Sequence, residues 1–242
     1  MFKKILIYGV AIIAACYIVF ALLFLTKEKE ILCKEAKCFI IDGGSGALSE
    51  ERVTTLLTQK GINPVNKPIK NIDCHEIENT IKKLSVVKDC QAYKTHRGHI
   101  GIDIECKIPI MQVFDINGRE FYIDEEGAVI DGIHNAMYLP VASGFITEEM
   151  ANKELLTIAR FLRDNRFWNE QTEQIFITAK KDVILIPRIG NHVVEIGKVE
   201  NLEKKLDKLK KFYNKGLNTI GWNKYKKINI EFEKQVICTK RD

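Results

Sequence analysis

From Ile5 to Leu25 the chain runs 21 residues with no charge and no proline. Nothing else in the sequence limits its architecture so strongly. At ~1.5 Å per residue, a helix of this length covers roughly 30 Å, the thickness of a bilayer's hydrocarbon core. Lys3 and Lys4 precede the run, and Lys27-Glu28-Lys29-Glu30 follows it without net charge. The lysine excess at the start predicts a cytoplasmic tail over residues 1–4, a single transmembrane helix over 5–25 and export of everything beyond. That is a single-pass, type II inner-membrane protein with its C-terminal part in the periplasm. A cleaved signal peptide would have a shorter apolar core, ~7–15 residues, and a small-residue cleavage site. Neither follows Leu25. Ile13-Ala14-Ala15-Cys16 has the form of a lipobox, but the apolar run continues from Tyr17 to Leu25 past that cysteine.

The remaining chain has room for one or two small domains. With 46% apolar and 29% charged residues it is ordinary for a folded protein and too apolar for a disordered one. The formal charge of +5 is unevenly spread. Residues 180–242 hold 16 Lys/Arg against 8 Asp/Glu, whereas residues 27–179 are net acidic. A basic C-terminal quarter suits an acidic partner or anionic surface, or is simply a solvated face. Cys16 lies in the apolar run. The other six cysteines, Cys33, Cys38, Cys74, Cys90, Cys106 and Cys238, lie beyond it, where disulfides are permitted. Six cysteines allow 15 complete pairings, so connectivity is not readable. Cys90 and Cys106 fall on two hairpin strands and form the best candidate pair; the alternative is that both are small buried apolar residues.

Residues 26–36 read as a charged juxtamembrane linker. Cys38-Phe39-Ile40-Ile41 is a short strand ended by Gly43-Gly44-Ser45-Gly46. Ser49 can cap a helix carrying Val53, Leu56 and Leu57, which Gly61 stops. Asp73 can cap a second, with Ile77, Ile81 and Leu84 on one face. Val86–Thr95 and His99–Ile108 alternate as strands around Arg97-Gly98. The order β-α-α-β-β over 37–109 closes at Pro109, which cannot donate to a continuing ladder. A second domain, 110–242, follows. Strands are expected at 111–116, 120–123 and 129–130, and a helix capped by Thr147 at 147–163. Further strands are expected at 175–178, 183–186 and 193–196. Val199, Leu202, Leu206, Leu209 and Tyr213 stripe a lysine-rich helix that Gly216 is expected to end. The chain finishes in strands 227–232 and 235–239. The fold class is α+β: one transmembrane helix, a β-α-α-β-β domain, then a mixed β-sheet domain with flanking helices.

Motifs for chemistry are scarce. Gly43-Gly44-Ser45-Gly46 sits between a strand and a helix, but lacks the spacing and the Gly-Lys-Ser/Thr of a phosphate loop. His96 and His99 bracket a hairpin tip without a carboxylate neighbour, and there is no C-x-x-C. No nucleophile motif is present, and Asp124-Glu125-Glu126 reads as an exposed turn, not a paired-carboxylate site. Lys204, Lys205, Lys208, Lys210 and Lys211 are interleaved with Glu200, Glu203 and Asp207 and lack the aromatics of a nucleic-acid face. The expectation is a binding module: no enzyme, no cofactor, no metal, no nucleic acid and no small-molecule substrate.

Taken in order, several weak motifs form a fairly specific pattern. Val87-Lys88-Asp89-Cys90-Gln91-Ala92-Tyr93 followed by Ile100 to Pro109 resembles the closing hairpin of a POTRA domain. Phe121-Tyr122-Ile123-Asp124 with Gly127 is followed by Leu139-Pro140 with Gly144, Phe167-Trp168 and Pro187-Arg188-Ile189-Gly190. Then come Gly221-Trp222-Asn223-Lys224-Tyr225 and Gln235-Val236-Ile237-Cys238-Thr239-Lys240. Together with the span, they resemble the bacterial FtsQ/DivIB cell-division family, most of all its Bacteroidetes members. Cys106-Lys107-Ile108-Pro109 departs from the family's Glu-Arg-x-Pro ending but keeps the basic residue and the proline.

The resemblance implies a non-catalytic divisome scaffold at the septum. It implies binding of FtsB-like and FtsL-like division proteins, with other divisome components met through the POTRA-like unit. It implies a C-terminal edge strand that accepts a strand from the FtsB-like partner, a mode in which main-chain bonds supply affinity and alternate side chains specificity. The corresponding residues are Ile230, Phe232, Lys234, Val236 and Cys238, with Phe232 where the family carries a tyrosine. Lys180 and Lys181 lie near the family's basic contact, or form only a hairpin turn. Val236 stands equally open to core packing. The competing expectation is an envelope assembly or secretion factor that uses a POTRA unit; such chains usually carry several units and a barrel.

Overall fold

The computed structural model describes residue 9 and residues 12–21, 31–42, 46–133 and 138–241. Residues 12–21 are helical and largely exposed. Among the described residues, no helix is long and apolar enough to cross a membrane. Much of the expected span (5–25), its charged flank (26–30) and Gly43-Gly44-Ser45 lie outside the described residues.

The first unit is a three-stranded sheet under two helices. Its elements are β1 (Ala36–Ile41), α1 (Glu50–Gln59), a 3-10 turn (Ile69–Asn71), α2 (Cys74–Ile81), β2 (Val87–Lys94) and β3 (Ile100–Cys106). The caps are those the sequence predicts. Ser49 Oγ accepts from the Arg52 amide, and Asp73 Oδ1 accepts from the amides of His75 and Glu76 at 2.9 and 3.2 Å. β3 is central, parallel to β1 and antiparallel to β2. Its alternation sends Ile100, Ile102 and Ile104 inward against Val53, Leu57, Ile77 and Ile81, leaving Asp103 and Glu105 outside. Cys90 and Cys106 join that core as free thiols rather than as a disulfide. Burial pushes their pKa values up to about 12 and about 11, the behaviour of small apolar residues. The linker is shorter than expected. Cys33 is fully buried, and its amide and carbonyl bond to Lys67 and Asn66, so residues 31–35 already belong to this unit.

The second unit is one nine-stranded mixed sheet. Its strands are β4 (Pro109–Asp115), β5 (Glu120–Asp124), β6 (Val129–Ile130), β7 (Val141–Gly144), β8 (Thr172–Ile177), β9 (Val183–Pro187), β10 (Val193–Gly197), β11 (Tyr225–Asn229) and β12 (Ile237–Lys240). The spatial order is β12-β11-β10-β9-β8-β7-β4-β5-β6. Pro109 is tolerated because it opens β4. Two parallel connections cross over through helices. β7 reaches β8 through α3 (148–164, with a π turn at Ala151–Leu155) and α4 (Arg166–Gln171). β10 reaches β11 through α5 (202–220). β7 and β10 run the same way and both connections move toward β12, so right-handed crossovers place both helices on one face of the sheet. Under them a single register row runs across eight strands: Phe121, Val113, Ala142, Ile175, Leu185, Val194, Ile228 and Cys238. All are buried except the last.

The lysine-rich helix does not stop at Gly216. A π turn at Tyr213–Leu217 carries it on to Ile220, and Gly221 ends it with φ +94°. Gly216 is instead a close-approach site, since a Cβ there would lie 2.9 Å from the Phe212 ring.

Candidate functional site

β12 is the terminal strand of the sheet. Its register with β11 pairs Lys227 with Thr239, Ile228 with Cys238 and Asn229 with Ile237. Among the described residues no strand pairs with its other margin. That margin carries backbone N–H and C=O groups available to another chain.

Both ends of β12 are tied down. At its C-terminal end the Arg241 amide donates to the Lys224 carbonyl at 3.0 Å, and the Arg241 guanidinium donates to the Asn191 carbonyl. Behind Asn191, His192 Nε2 and the Tyr213 hydroxyl share a buried hydrogen bond of 2.9 Å, within an aromatic cluster with Trp168 and Trp222. Burial, then the charge of Arg241, lowers the His192 pKa. At the other end the chain turns through residues 230–236. Asn229 Oδ1 accepts from the Glu231 amide at 3.0 Å, and Lys208 Nζ donates to the carbonyls of Ile230, Phe232 and Gln235. One helical turn earlier, Lys205 Nζ donates to the carbonyls of Ile196 and Lys198 at 3.0 and 2.7 Å. Burial lowers the pKa of both lysines.

The expected contact residues divide sharply. Ile230 is fully buried and is withdrawn from any docking surface. Phe232 and Lys234 are exposed but lie in the turn, not in a strand, because the Asn229 and Lys208 bonds break the ladder after Asn229. Val236 is half-buried just before β12, and Cys238 is half-buried in it, both packed against the core beneath α5. Ile230, Val236 and Cys238 thus follow the helix-covered face. The opposite parity, Ile237 (45% exposed) and Thr239, faces solvent and was missed. The pairing of Cys238 with buried Ile228 is what turns that side of β12 inward. Lys180 and Lys181 form the β8–β9 turn, where Lys181 has φ +60°. They lie at the same end of the sheet as the 230–236 turn. Three strand spacings, roughly 14 Å at ~4.8 Å each, separate β9 from β12.

The two units define a class: a POTRA-like β-α-α-β-β domain followed by a large mixed sheet with its C-terminal strand at the margin. Residues 31–105 match the POTRA-like domain, and residues 108–239 match the family described as FtsQ/DivIB, C-terminal related. The second match covers more than half of the 242 residues, and the chain belongs to the FtsQ/DivIB family of cell-division proteins. No curated protein was found to match it.

Proposed function

We propose that the chain is a membrane-anchored divisome scaffold whose β12 accepts an extended segment of an FtsB-like partner, an FtsL-like protein joining through it. The open margin of β12 carries this reading. A strand added there continues the register row, so its residue beside Cys238 is apolar and lies near α5. Its neighbours beside Ile237 and Thr239 face solvent. A partner that extends past the strand toward β9 reaches Lys180 and Lys181, in keeping with the basic balance of the C-terminal quarter. The apolar run at 5–25, with Lys3 and Lys4 before it, supports an uncleaved anchor and a periplasmic location for both units.

The test is site-specific photocrosslinking in the full-length protein in its own cells. A photoreactive residue at Ile237 is expected to capture the FtsB-like partner, and one at Glu51, on the exposed start of α1, is not. Absence of that adduct at Ile237, or equal capture from Glu51, overturns the site. Fluorescent fusions test the role: a midcell ring supports division, and a uniform envelope signal points to envelope assembly or secretion.

A further inference from the structure

We propose that Lys208 is the positioning residue of the docking edge, a clamp on α5 that sets the 230–236 turn and thereby the conformation in which β12 is presented. An ammonium has three donors, and the structure gives each a carbonyl from one turn: Ile230 and Gln235 at 3.1 Å, and Phe232. Those residues span the whole connection between Asn229, the last of β11, and Ile237, the first of β12. Apart from Lys208 the turn is held at its two ends, by the Asn229–Glu231 bond, by the Ile230 amide on the Glu195 carbonyl and by Val236 against the core. Phe232, Glu233, Lys234 and Gln235 are all exposed. β12 is only four residues long, so its order depends on what fixes that turn as well as on Arg241 at its far end. The ammonium stands at a cavity of about 210 Å³ lined by Asn201, Lys204, Lys205, Glu233 and Lys234. Its lowered pKa, caused first by burial, fits a charge withdrawn from water to serve backbone acceptors. The apolar stripe Leu202, Leu206, Leu209 and Tyr213 is what turns this lysine-rich helix to the sheet. Lys205 falls within the apolar stripe three residues after Leu202, and Lys208 follows one turn later on the side of the final hairpin.

The inference rests on β12 being the docking edge, and the experiment separates the two claims. Amide hydrogen exchange is compared in full-length wild type, Lys208→Met and Lys208→Arg, with partner capture scored on the same samples. Lys208→Met, which keeps the length and removes the donors, is expected to accelerate exchange across 225–240 at least tenfold while β8 and β9 stay at wild-type rates. It is expected to reduce capture in proportion. Lys208→Arg, which keeps the charge and donors, is expected to recover part of both. Unchanged exchange in the final hairpin overturns the clamp. Acceleration shared equally by β8 and β9 also overturns it, since Lys208 would then act on global stability alone. A loosened hairpin with undiminished capture leaves the clamp standing and removes the docking edge.

Discussion

The nine-stranded sheet has two margins, and they are handled in opposite ways. At one end β6 is two residues long and disappears beneath the POTRA-like unit. Ile130 is fully buried beside Tyr122 and Ile133 in that unit's core. Ser85 Oγ donates to the Asp131 carbonyl and accepts from its amide, and Arg52 reaches the Gly132 carbonyl. At the other end β12 is tied at both tips and, among the described residues, no strand pairs with its outer margin. An edge strand is a hazard that proteins cover or blunt. One margin is covered by a whole domain, and among the described residues the other is not.

The contrast can be broken or sharpened by experiment. The largest effect is expected at the covered margin. Ile130→Ala should cost about 2–5 kcal/mol in urea denaturation, while partner capture per folded molecule stays at the wild-type level. Loss of capture in the folded variant would dissolve the distinction between the margins. At the bare margin Lys240→Pro removes a donor that points away from β11, since the alternate amide, that of Arg241, is the one bonded to Lys224. Capture should fall at least about tenfold, a change of about 1.4 kcal/mol, with the denaturation midpoint little altered. Ser85→Ala removes the two bonds to Asp131 and should cost about 1 kcal/mol, read as a small midpoint shift with capture intact. The smallest effect concerns pH. The His192 pKa is lowered in the fold, so near its ordinary value of 6.5 the unfolded chain binds more protons than the folded one. Stability should therefore fall as pH drops through that value, until the folded group also titrates. His192→Phe should flatten this part of the profile, and an unchanged slope would assign the acid sensitivity to other groups.

Much of the fold was legible because local signals agreed with the tertiary ones. Ile100, Ile102 and Ile104 alternate, Asp73 and Thr147 cap, and each does in the structure what its spacing predicts. The failures have physical causes. Val141-Ala-Ser-Gly has no strand signature of its own; β7 exists because parallel neighbours β4 and β8 hold it on both sides. At Gly144, φ is +111° and a Cβ would meet the Ile177 carbonyl oxygen at 2.2 Å, a close approach that only the neighbouring strand explains. Gly216 looks like a stop until the Phe212 ring above it is seen. At the site, the expectation of a C-terminal edge strand came from resemblance, but the inward parity of Cys238 depends on a cross-strand row that no single strand reveals. Lys208 was invisible because a lysine beside an apolar stripe usually reaches water, and only the folded turn offers it three carbonyls.

β12 is four residues long, about 13 Å of extended chain at ~3.3 Å per residue. So short a ribbon forms only a few interchain bonds, each worth a net ~0.5–1.5 kcal/mol. Their sum falls well short of the roughly 8 kcal/mol of a micromolar complex. Backbone pairing alone would therefore make a short-lived encounter. A lasting residence must draw its remaining energy from side chains outside the ribbon or from confinement of both proteins to one surface.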